Sequence, residues 1–150
     1  MHKLSGLDAG FLYTETELCP QHVATVQLLE LPEGMGVRPF IGQLKALLRS
    51  RAHLVPYLTN KLVDTPFFVD HPVWITDASF NIDDHVEHLE VAAPGGRAQW
   101  EAAIAELHEQ PFDRSRPMWR IVVLSGLEGG RIAYYFAMHH ACIDGMSGQA

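Results

Sequence analysis

Two apolar runs joined by a glycine-rich connection constrain this 150-residue chain more than any other feature. Met118-Trp119-Arg120-Ile121-Val122-Val123-Leu124 and Ile132-Ala133-Tyr134-Tyr135-Phe136-Ala137-Met138 are rich in β-branched and aromatic residues, with Gly126 to Gly130 between them. Such runs read as strands buried on both faces. The short connection makes them an antiparallel hairpin at the centre of a sheet. A chain of this length matches one ordinary domain and can bury a substantial core around that hairpin.

The remaining segments supply partners. Ser5 to Tyr13 opens as a capped helical turn, with Ser5 as N-cap and Asp8 at the third helical position; Leu7, Phe11 and Leu12 share one face, and Cys19-Pro20 ends the segment. Val23 to Leu31 reads as a strand stopped by Pro32, and His22 just before it as a structural or surface histidine. Pro39 suits the first turn of a helix with Phe40, Leu44, Leu47 and Leu48 as its apolar stripe and Val55-Pro56 as its end. Tyr57 to Asp64 reads as a short strand and Phe67 to Ile75 as another, interrupted at His71-Pro72. Trp100, Ile104 and Leu107-His108 stripe an Ala/Glu-rich helix closed by Pro111. Mixed strands and helices in this order predict an α/β sandwich.

Composition narrows the function. With 47% hydrophobic and 19% charged residues the chain is globular. A net charge of −7 without a Lys/Arg cluster argues against nucleic acid. No apolar segment reaches the roughly 20 residues that span a bilayer, and Met1-His2-Lys3-Leu4-Ser5 lacks a signal peptide's apolar core, so a cytoplasmic protein is expected. Cys19 and Cys142 form no CxxC pair, which fits reduced thiols.

Chemistry gathers where the second hairpin strand ends, at His139-His140-Ala141-Cys142-Ile143-Asp144-Gly145. A histidine leaving a packed layer at a turn is held rigid and aimed, as a general base requires. Gly145 permits a close backbone approach, and Asp144 is placed to fix the loop or orient a ring. The plain alternative is a strand end whose histidines bond to nearby backbone. Cys142 invites a nucleophile reading, although a small residue packed beneath the loop explains it as well. His85, Glu87 and His88 have the residue types of a zinc site, but apolar Val86, Leu89 and Val91 favour a strand there. Neighbouring side chains then face apart, and no third and fourth ligand stands at suitable spacing.

His139-His140 with Asp144-Gly145 resembles the HHxxxDG signature of the coenzyme-A-dependent acyltransferase superfamily, which includes chloramphenicol acetyltransferase and peptide-synthetase condensation domains. Leu4 to Tyr13, Val73-Trp74, Asp83 to Val86, Pro94-Gly95, Asp113 to Trp119 and Leu124 to Arg131 are similar to the bacterial wax ester synthase/diacylglycerol acyltransferase family. The likeness runs through nearly the whole chain.

The resemblance implies a chloramphenicol-acetyltransferase-like two-layer sandwich with a mixed, largely antiparallel sheet. It also implies transfer of a long-chain acyl group from acyl-CoA, a substrate rather than a cofactor, to a fatty alcohol or diacylglycerol. His140 is then the base, His139, Asp144 and Gly145 support it, and Pro117-Met118-Trp119 matches a Pro-Leu-Trp element with Met for Leu. That swap conserves apolar volume. No metal or cofactor is implied, and the His85 stretch becomes a family feature. Family members are several times longer, so residues 1–150 are expected to be an N-terminal acyltransferase domain whose C-terminal partner, with an Asn-Asp element, lies outside them. Alone they are expected to transfer little or nothing. Acceptors of this kind reside in membranes and lipid droplets, which implies peripheral association. The alternatives are an acyltransferase or condensation enzyme for another hydroxyl or amine, and a non-catalytic module of the same fold that holds lipid or protein.

Overall fold

A computed structural model describes residues 2–143. The strands are β1 (His2–Lys3), β2 (His22–Leu29), β3 (Asn60–Val63), β4 (Val73–Thr76), β5 (Val86–Glu90), β6 (Trp119–Ser125) and β7 (Ile132–His139), and the α-helices are α1 (Gly6–Thr14), α2 (Val37–Arg51) and α3 (Arg97–His108). They form a four-stranded sheet ordered β2-β7-β6-β5 and a three-stranded sheet ordered β1-β4-β3. The predicted hairpin, β6 with β7, holds the two central places of the larger sheet. Only the β5–β6 pairing is parallel among the described strands; the others are antiparallel. This is the mixed, largely antiparallel α/β architecture expected.

Strand alternation sorts the core into two layers. From β6 and β7, Ile121, Val123, Ile132, Tyr134, Phe136 and Met138 face one core with residues of α1, α2 and the smaller sheet. Val122, Leu124, Ala133, Tyr135 and Ala137 face the other, against Trp100, Ile104 and Leu107 of α3. A fully buried large apolar side chain among these, such as Ile121 or Leu124, contributes about 1.5–3 kcal/mol on leaving water, before the entropy of ordering is set against it. The hairpin is apolar along most of its length because it is covered on both sides.

Helix α1 is capped as its sequence predicts: Ser5 Oγ accepts from Asp8 N–H at 3.1 Å and donates to Asp8 Oδ2 at 2.7 Å. With Asp8, Ala9 and Leu12 buried, it packs on the turn His140–Cys142. Pro39 lies in the first turn of α2, whose Lys45 and Arg49 reach Asp83 at 2.8 and 3.3 Å. No helix among the described residues is long and apolar enough to cross a membrane.

The boundaries between 51 and 76 differ from the expected ones. The α-helix closes at Arg51, and 3-10 turns at Ala52–Leu54 and Pro56–Leu58 precede a strand of only Asn60–Val63. Pro66–Phe68 is a turn rather than a strand, with Phe67 at φ 56° and its side chain 95% exposed. Pairing begins after Pro72, which has no N–H to give a ladder.

Candidate active site

His140 follows the last residue of β7, where the chain leaves the sheet as a short 3-10 turn, His140–Cys142. Two backbone bonds fix it: His140 N–H donates to Gln21 C=O at 2.9 Å, and His140 C=O accepts from Ile143 N–H at 3.0 Å. The half-buried ring stacks on Phe11 of α1, centroids 4.5 Å apart and planes 14° apart. Nδ1 is buried with no hydrogen-bond partner among the described residues, so water does not reach that side of the ring.

His139 is built differently. It is fully buried, and its Nδ1 accepts from Ala141 N–H at 3.0 Å, capping the turn that carries His140. An imidazole accepting at Nδ1 carries its proton on Nε2. Nε2 stands 3.3 Å from Glu15 Oε1 without a well-aligned hydrogen bond. Burial, with Arg114, His22 and His140 adding to it, holds the His139 pKa down to about 4 against the opposing pull of Glu15. The ring is neutral near pH 7. His139 is thus the backbone-bonding histidine of the plain alternative, and only His140 has the exposure a base needs.

Glu15 caps the C-terminus of α1 with its side chain 7% exposed. Oε1 accepts from Gln21 N–H at 3.2 Å, while Oε2 accepts from Arg114 Nη2 at 2.7 Å and Nε at 3.2 Å. Burial alone would raise this carboxyl; the Arg114 and Gln21 hydrogen bonds outweigh it and hold its pKa below the usual value. Arg114 also donates to Leu12 C=O at 2.7 Å. Nothing in the sequence marks Glu15, Gln21 or Phe11 as site residues, and Arg114 falls only within a family-like stretch.

Pro117-Met118-Trp119 is buried at the start of β6. Met118 C=O accepts from His139 N–H at 3.0 Å, and Trp119 Nε1–H donates to Leu58 C=O at 2.9 Å. The element therefore holds the strand end from which the histidines emerge. Asp144 and Gly145, named as supporting residues, lie outside the described residues.

The metal-like stretch resolves into packing. His85 precedes β5, stacks on Trp119 with centroids 4.5 Å apart and bonds through Nδ1 to Trp119 C=O at 2.9 Å; His88 Nε2 meets Ser125 Oγ at 2.7 Å. Among the described residues no three His, Cys, Asp or Glu side chains gather as a metal site requires. His22, the first residue of β2, is buried edge-on to His108 at 4.4 Å. Burial pushes the Cys142 thiol up, far from a reactive thiolate, whereas Cys19 is exposed. In native protein at pH 8, a thiol reagent is expected to label Cys19 alone, with Cys142 reacting only after denaturation; equal labelling rates would show that the turn opens.

Beside the turn lies an apolar groove of about 430 Å³, lined among others by Val23, Thr25, Leu58, Phe136, Met138 and Ile143. Met138 and Ile143 flank His140 in sequence, so the groove and the histidine share one end of the sheet.

Residues 4–150 match the family model described as the wax ester synthase/diacylglycerol acyltransferase catalytic domain. Two proteins of Mycobacterium tuberculosis, each named as a candidate diacylglycerol O-acyltransferase, are 34% and 36% identical over 149 residues; the matches cover 97% and 99% of this chain but 31% and 30% of theirs. The wax ester synthase/diacylglycerol acyltransferase from Marinobacter aquaeolei VT8 superposes with a TM-score of 0.81 at 29% identity, over 99% of this chain and 35% of that one. The starter condensation domain of rhizomide synthetase has the same fold, with a TM-score of 0.69 at 16% identity. The chain spans about a third of the length of these relatives.

Proposed function

The chain belongs to the wax ester synthase/diacylglycerol acyltransferase family, and from that premise we propose that it carries the general base of an O-acyltransferase moving long-chain acyl groups from acyl-CoA to a fatty alcohol or diacylglycerol. The observation that carries the reading is the contrast at the turn: His139 is sealed and neutral, while His140 beside it is half-buried and braced by Phe11, at the same end of the sheet as an apolar groove lined by Met138 and Ile143. A base must be immobile yet reachable, and an acceptor with a long tail needs an apolar wall.

In the proposed reaction His140 Nε2 takes the hydroxyl proton as the alcohol oxygen adds to the thioester carbonyl. The tetrahedral adduct then breaks its C–S bond, and the imidazolium returns the proton to the departing CoA thiolate. Base and acid are one group, so no acyl-enzyme forms. A buried Cys142 with a raised pKa supports that route over a thiolate nucleophile. The remaining contacts to acyl-CoA and acceptor would come from the length that relatives carry beyond the matched third, so residues 1–150 alone should transfer little. Acceptors dissolved in membranes or lipid droplets place the protein at those surfaces peripherally, from the cytoplasm.

Purified full-length protein, offered long-chain acyl-CoA with hexadecanol, diacylglycerol or an amine, is expected to release CoA with the two hydroxyl acceptors. Val23→Trp, which fills the groove, should cut transfer to hexadecanol more than transfer to butanol. Turnover with the amine alone would replace this reading by condensation-type chemistry, and no turnover with any acceptor would favour the binding module.

A further inference from the structure

We propose that Glu15 and Arg114 are positioning residues that aim His140 without touching substrate, a deduction that rests on His140 being the base. The Glu15 carboxylate reaches the catalytic turn by two routes. Through Gln21 it fixes a residue whose N–H binds Glu15 Oε1 and whose C=O accepts the His140 N–H. Through His139 it faces the Nε2 of a ring whose Nδ1 accepts the Ala141 N–H. The two successive backbone donors of the turn are thus both held by partners that meet at one carboxylate. Phe11, one helical turn before Glu15, covers the His140 ring, so α1 delivers both the brace and the anchor.

Arg114 makes that carboxylate usable. A buried carboxylate without a cation is costly, and it neutralises by taking a proton or by drawing one onto its neighbour. The neighbour is His139. Were His139 to become imidazolium, Nδ1 would carry a hydrogen and cease to accept from Ala141, and the cap on the turn would be lost. The forked Arg114 contact satisfies Glu15 and ties it to the Leu12 carbonyl at the end of α1, across 99 residues of sequence. The charged or titratable groups facing His139 are Glu15 after α1, Arg114 before β6, His22 on β2 and His140 beside it. Glu15 favours its protonation and the other three oppose it.

The signs make the clamp testable. Removing Arg114 deletes a charge that disfavours imidazolium and leaves Glu15 unpaired, so His139 should titrate at higher pH. Removing the Glu15 charge should move it lower. In full-length protein, imidazole NMR titrations of His139 are expected to shift upward in Arg114→Gln, downward in Glu15→Gln and little in Arg114→Lys, which keeps the charge but not the fork. Turnover in Arg114→Gln should drop on the order of a hundredfold, the low end of what a positioned base contributes, mostly in kcat, with partial recovery in Arg114→Lys. Identical His139 titrations in all variants, or wild-type kcat in Arg114→Gln, would overturn the clamp. If Arg114→Gln fails to fold, the downward shift in Glu15→Gln against the near-unchanged titration in Arg114→Lys still decides. Should the wild type not turn over acyl-CoA at all, the functional reading falls, while the His139 titrations still judge the clamp.

Discussion

Replacing His140 with alanine in the full-length protein is expected to lower kcat/KM for acyl transfer by about 10²–10⁴-fold, the usual contribution of a positioned general base, while barely changing the melting temperature. The two halves of that expectation come from different atoms. His140 holds the fold through its backbone, by the N–H to Gln21 and the C=O from Ile143, and alanine keeps both bonds. Its ring is half-buried, and the only aromatic contact it makes among the described residues is the stack on Phe11. Losing that contact costs on the order of 1 kcal/mol.

His139→Ala should behave in the opposite sense. Its ring has no exposed surface, so removing it opens a cavity, strips the acceptor from Ala141 N–H and leaves Glu15 facing the void. A loss of about 2–4 kcal/mol of stability follows from a buried cavity plus an unpaired buried donor. Thermal melts and steady-state kinetics on the two variants separate the roles. If His140→Ala retained wild-type turnover, proton transfer would have to be reassigned to another group. If His139→Ala melted like wild type, the cap on the turn would carry no weight.

Short-range features of this arrangement are legible in the sequence, and long-range ones are not. The central hairpin follows from two apolar runs and a glycine connection, and the Ser5–Asp8 cap from spacing within one helical turn. His140 was legible because a strand end and a family-like motif coincide there. The clamp was not, because Glu15 looks like any charged residue after a helix until Arg114 arrives from 99 positions away. Composition misled where it was read without hydrogen bonding. Phe67 and Val69 suggested a strand, yet Pro66 and Pro72 bracket them, and both side chains stand in solvent, 95% and 79% exposed. His85 and His88 have ligand-type side chains that strand alternation already sets apart, and the bonds their rings make instead, to Trp119 C=O and Ser125 Oγ, are long-range and do not show in sequence.

Among the described glycines, Gly95→Ala is expected to be the most damaging methyl addition, destabilising the protein by roughly 2–4 kcal/mol. The loop after β5 and the turn after β6 interlock backbone to backbone. Gly95 has φ +73°, and a Cβ there would lie 1.9 Å from Gly126 O, 3.0 Å from Gly126 C and 3.2 Å from Leu127 Cα. None of these atoms can rotate aside. Gly126 in turn has φ +78°, and its own Cβ would stand 2.8 Å from Val91 O. Alanine at 95 therefore meets two costs: about 1–2 kcal/mol for a left-handed backbone, and the separation of two loops joined by the Glu128 N–H to Gly95 C=O bond of 2.9 Å. Losing that bond adds about 0.5–1.5 kcal/mol. Gly34 isolates the first cost, since it too has positive φ, at +78°, but nothing lies within 4 Å of its would-be Cβ. Gly34→Ala should lose only the conformational part, so the difference in melting temperature between the variants measures the interlock, at about 5 °C for a chain of this size. Because these loops adjoin the end of the β6–β7 hairpin opposite the turn that carries His140, Gly95→Ala in the full-length protein should leave the turnover of its folded fraction at the wild-type rate. Equal melting of the two glycine variants would show that the loops part freely and that the hairpin is registered by its strands alone.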